Sequence, residues 1–62
     1  MRTINLKNYS FSFEDKDGNE LERRYFWHYN IKKARMFASE LLGNSMINDL
    51  YKITVKREYE KH

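Results

Sequence analysis

No cysteine occurs in the 62 residues, and glycine and histidine occur only twice each. Without cysteine the chain has neither a disulfide nor a thiolate metal site to staple a small fold, which points to a reducing cytoplasm rather than secretion. Glycine stands only at 18 and 43, so no glycine-rich loop can cradle a phosphate. His28 and His62 are the sole imidazoles, and no serine sits in a nucleophile motif. The paired carboxylates cluster on what reads as an exposed turn, with no cavity to raise a pKa and without the spacing of a calcium loop. The expectation is a non-enzyme with no catalytic residue, no metal and no cofactor. Long apolar runs are also missing: nothing approaches the ~20 residues of a membrane span, and Met1 to Lys7 lacks the apolar run of a signal peptide. A chain this short buries only about 60% of its unfolded surface, so a single domain over residues 1–62 with one thin core is expected.

The clearest local signal runs from Asn30 to Gly43. Asn30 can cap a helix by accepting from a first-turn amide, and Gly43 supplies a left-handed terminator. At 100° per residue Ile31, Ala34, Phe37, Ala38, Leu41 and Leu42 share an arc of roughly 140°, with Lys32, Lys33, Met36, Ser39 and Glu40 opposite. Before the helix, Ile4 and Leu6, then Tyr9, Phe11 and Phe13, alternate with a slip near Lys7 and Asn8 that suggests a bulge. Asp15 to Asn19 then turns the chain. A two-residue Asp17-Gly18 turn would set Phe13 against Glu22 and Phe11 against Arg24. A three-residue Lys16-Asp17-Gly18 loop instead pairs Phe13 with Leu21 and Tyr9 with Tyr25, and is the expected register. It gives one core face of Tyr9, Phe11, Phe13, Leu21, Tyr25, Trp27 and Tyr29, with Arg23 a misfit opposite Phe11. Met46, Ile47 and Leu50 can plug the end of the core. Tyr51 to Tyr59 alternates as a third strand. The fold expected is α+β: a ββαβ domain, three antiparallel strands in order 2-1-3 and one helix on one face.

Three features bear on function. Residues 23–39 hold Arg23, Arg24, Lys32, Lys33 and Arg35 and no acid, whereas Glu14 to Glu22 holds five acids and a single lysine. Such polarisation steers polyanions, and a phosphate at the helix start would meet free amides and two ammonium groups together. Arg-Arg-Tyr-Phe-Trp-His-Tyr interleaves cations with rings, as single-strand binders do. Of these rings Tyr25, Trp27 and Tyr29 have core spacing, while Phe26 and His28 fall on the opposite face and read as contact residues. Nucleic-acid binding by Arg23, Arg24, Lys32, Lys33, Arg35, Phe26 and His28 is the leading expectation. The alternative is a protein partner or a homodimer, met through an apolar patch of Ile4, Leu6, Phe26 and His28, or, for a basic partner, through the acidic tip of Glu14, Asp15 and Asp17. The acidic tip also suits mimicry of a phosphate backbone.

Tyr9, Asp17-Gly18, the aromatic second strand and Lys33-Ala34, Ala38 and Leu41 resemble, over about half the chain, the arm-site DNA-binding module of tyrosine recombinases. That family lays a small antiparallel sheet against DNA, but it has three strands before its helix where two precede it here. The abundance of Asn, Lys, Tyr and Ile is similar to that of small proteins of phages and mobile elements from AT-rich genomes.

Overall fold

A computed structural model describes residues 5–59. It contains β1 (Lys7–Glu14), β2 (Glu20–His28), α1 (Ile31–Asn44) and β3 (Lys52–Arg57). The strands form one antiparallel sheet of order β2-β1-β3, and α1 packs on one face. This is the expected ββαβ arrangement; with two strands before the helix and one after, its order departs from the recombinase module. No described helix is long and apolar enough to cross a membrane.

The centre strand carries the core. Tyr9, Phe11 and Phe13 point toward the helix and are buried, and Ala34 and Ala38 are the buried residues of α1 beneath them. Small side chains on the helix let its backbone come close to those three rings. Phe26, Phe37, Leu41, Ile47, Leu50, Ile53 and Val55 close the periphery. Met46 is 96% exposed, so only two of the three expected plug residues serve.

Asn30 caps the helix as expected, in extended backbone, its Oδ1 accepting from the Lys33 amide at 2.9 Å. Gly43 does not end it. The helix continues through Asn44, and the chain leaves through an extended Ser45 whose Oγ accepts from the Ile47 amide at 3.0 Å. The only left-handed glycine is Gly18, at φ +87° in the hairpin.

That hairpin has the expected three-residue loop but not the expected register. The Asp15 amide donates to the Asn19 carbonyl at 3.0 Å, enclosing Lys16, Asp17 and Gly18. Glu14 then pairs with Glu20, but Phe13 pairs with Glu22, leaving Leu21 unopposed as a bulge. Beyond it Phe11 meets Arg24 and Tyr9 meets Phe26. This one-residue slip moves every β2 side chain from Glu22 onward to the face opposite the expected one. Tyr25, Trp27 and Tyr29 are therefore 53%, 56% and 55% exposed instead of forming the core. Phe26 takes the interior place, edge-on to Phe11 and Phe37 with centroids 4.9 Å from each. The exchange is physically sensible, because Phe has no polar atom to satisfy, whereas Tyr and Trp each keep a polar tip in water. It also puts Arg24, not Arg23, across from Phe11, with its guanidinium 5.6 Å from the Phe13 ring centre. The bulge expected near Lys7 and Asn8 is absent: pairing with β2 runs unbroken from Lys7 to Phe13. Ile4 lies outside the described residues.

Candidate nucleic-acid interface

The register divides the expected basic set. Arg23 stands on the outer sheet face opposite Ser12, with Nε 2.6 Å from Glu20 Oε1. Arg24 stands on the helix face and pairs with Glu22. The Arg23–Glu20 hydrogen bond holds the Glu20 carboxyl below its ordinary range and raises the guanidinium further. The two arginines thus point to opposite faces, each beside a carboxylate. Arg35 is exposed on the flank of α1 nearest β3, where a cleft of about 430 Å3 runs along Ala38, Leu42, Ile53 and Val55. Lys32 and Lys33 are exposed in the first turn of the helix, which contains no acid.

The exposed patch expected around Phe26 and His28 does not form. Phe26 lies in the ring cluster, and His28 is half-buried, stacked on Phe11 at 5.9 Å and 5.2 Å from Phe37. Its Nε2 is buried with no hydrogen-bond partner among the described residues. Leu6, just before β1, is exposed. At the far end of the hairpin Glu14 is half-buried with Lys52 Nζ at 3.8 Å. Asp15 Oδ1 accepts from the amides of Asp17 and Asn19, each at 2.9 Å. Those amide bonds, Asn19's first, hold the Asp15 carboxyl below its ordinary range. Asp17 is exposed. No group of three His, Cys, Asp or Glu side chains among the described residues could hold a metal ion.

Two cations that the sequence reading passed over come together where the helix begins. Lys7 opens β1 opposite His28, and Arg57 closes β3 opposite Tyr9, so both lie at the helix-start end of the sheet on the helix face. Lys7 Nζ donates to the Tyr29 carbonyl at 2.8 Å. The Arg57 guanidinium lies 4.7 Å from the ring centre of Tyr59, a cation–π distance. Two adjoining clefts share Lys7, Arg57 and Tyr59. One, of about 350 Å3, opens toward Asn30 and Ile31, and the other, of about 290 Å3, toward Leu6, Asn8 and Trp27. Lys32 and Lys33 follow directly on the helix. Among the described residues none of Lys7, Lys32, Lys33, Arg35 and Arg57 has a carboxylate within ion-pair distance. Lys7 and Arg57 are 50 positions apart in the chain and carry no motif; only the strand pairing unites them. The one available signal was the basic residue at the end of each of two alternating strands.

Comparison of the chain with protein-family models, curated proteins and solved structures returns no match.

Proposed function

We propose that this chain is a non-enzymatic, cytoplasmic binding module for nucleic acid, acting through the end of the sheet where the helix starts. The observation that carries this reading is the ridge of Lys7, Arg57 and Tyr59 between two clefts, flanked by Trp27 and followed by Lys32 and Lys33. Phosphates of a single strand would lie along the four cations, and bases would stack on Trp27, Tyr29 and Tyr59, at ~1–3 kcal/mol per ring. Arg23 and Arg24 are left with their glutamates, and Arg35 extends the basic track one turn along the helix.

Trp27 is the only tryptophan, so its fluorescence reports the site directly. Titration with short DNA or RNA at low salt is expected to quench it. Four neutralised phosphates predict log affinity falling against log salt with a slope of about −3. Replacing Lys7 and Arg57 with alanine should weaken binding and flatten that slope. Unchanged emission together with no mobility shift on either nucleic acid defeats the reading.

A second reading is favoured by the cleft of about 420 Å3 at the opposite end, where Asp15, Asp17 and Asp49 border Leu21 and Tyr51. Carboxylates around exposed apolar side chains suit a basic protein segment. Salt-sensitive binding of a Lys/Arg-rich peptide, lost in Asp17→Lys, would support it; binding unaffected by that change would not.

A further inference from the structure

Among the described residues the order β2-β1-β3 leaves both outer strands as edges, and the two are protected unequally. β3 is six residues long and carries Lys52, Lys56 and Arg57, the usual device against strand addition. β2 is nine residues long, confines its charges Glu20, Glu22, Arg23 and Arg24 to the hairpin half, and then runs Tyr25-Phe26-Trp27-His28 without interruption; the chain has no proline. Its single bulge lies at Leu21, beside the hairpin, so Glu22 to His28 is a regular edge with large rings exposed at Tyr25 and Trp27.

We infer that a second copy of this chain pairs antiparallel with the β2 edge, about a two-fold axis through Tyr25, to make a six-stranded sheet with both helices on one face. The charge and ring pattern of β2 suits a second copy in this register. Pairing Tyr25 with itself sets Arg23 against Trp27 of the other copy on the outer face. On the helix face it sets Arg24 against Phe26, and Glu22 against His28. Each cation meets a ring and the carboxylate meets an imidazole, and symmetry makes every such contact twice. Shifting the axis to Arg24 would put two guanidinium groups directly opposite one another, which is unfavourable. An axis between two residues would pair side chains of opposite faces. The surface shares Trp27 with the proposed nucleic-acid site but none of its cations, and it is tested without nucleic acid.

Because the chain contains no cysteine, a single introduced thiol can report only its own pairing. Residues paired across an antiparallel ladder have Cα atoms about 4.5–5.5 Å apart, within disulfide reach. Tyr25→Cys is expected to oxidise to a covalent dimer, and Thr54→Cys on the outer face of β3 is not. Light scattering on the unaltered protein should show mass rising from one chain to two with concentration, and Arg23→Glu should raise the dissociation constant about tenfold with unchanged circular dichroism. Hydrogen exchange gives a check free of any substitution: amides of β2, not those of β3, should gain protection as concentration rises. A constant monomer mass up to about 1 mM, or equal cross-linking through Tyr25→Cys and Thr54→Cys, overturns the inference.

Discussion

Asn30 does two things with one side chain. Its Oδ1 satisfies a first-turn amide, and its position fixes where Lys32 and Lys33 project. Asn30→Ala is expected to lower stability by about 1 kcal/mol, which in so small a domain is a melting decrease of roughly 4–8 °C. His28 is the opposite case: a half-buried ring among Phe11, Phe26 and Phe37 with its Nε2 unpartnered among the described residues. His28→Phe removes the unsatisfied nitrogen and keeps the ring contacts, so thermal denaturation should show a gain of about 1 kcal/mol. Asp15 and Glu20 both have folded pKa values below their ordinary 3.8 and 4.5. A depressed carboxyl stabilises the fold above its ordinary pKa and ceases to do so as pH falls through the folded one. Stability measured by urea titration should therefore decline on acidification below about pH 4, and less steeply in Asp15→Asn.

At the scale of elements, the hairpin explains why β2 faces as it does. Leu21 is the extra residue between two otherwise regular pairings. Deleting Leu21 converts the bulged hairpin to a plain three-residue one while keeping Lys7–Phe13 in register with Glu22–His28. The deletion variant should fold with Trp27 still in its solvent-exposed environment, as its emission maximum will show. Deleting Arg24 instead removes the bulge by moving only Leu21, Glu22 and Arg23 to opposite faces, with Leu21 across from Phe13, while Glu20 stays opposite Glu14 and the loop closure is unchanged. The helix has its own conflict. Two lysines in the first turn oppose the macrodipole by ~0.3–1 kcal/mol each, with no acid beside them in that turn. Lys32→Glu with Lys33→Glu should raise the melting temperature by a few degrees while abolishing nucleic-acid binding. Stability and binding moving in opposite directions is a result that a merely solvated pair of lysines would not produce.

Over the whole molecule, the antiparallel register gathers Lys7, Arg57, Lys32 and Lys33 at one end and Asp15, Asp17 and Asp49 at the other. The helix, its cap, the three-residue loop and the strand order were legible in the sequence because each rests on local signals: an Asn before an apolar arc, a glycine able to adopt positive φ, and a crossover that must return to the sheet. The facing of β2 was not legible, because aromatics occupy both of its alternating sets, Tyr25, Trp27 and Tyr29 as well as Phe26 and His28. Periodicity cannot choose between two ring-bearing faces. The choice came from the helix, whose Phe37 meets Phe26 and whose Ala34 and Ala38 leave room for Phe11. Polarised charge, too, was visible along the chain, but its members changed: Arg23 and Arg24 found glutamates two or three residues away, while Lys7 and Arg57 entered from strands 50 positions apart. What the chain determined by itself was the order of elements and the separation of basic from acidic segments, since both depend on neighbours in sequence. Only the folded packing decided which rings meet water and which cations share a surface, because a single bulged residue reverses a strand's faces and strand pairing brings distant charges together.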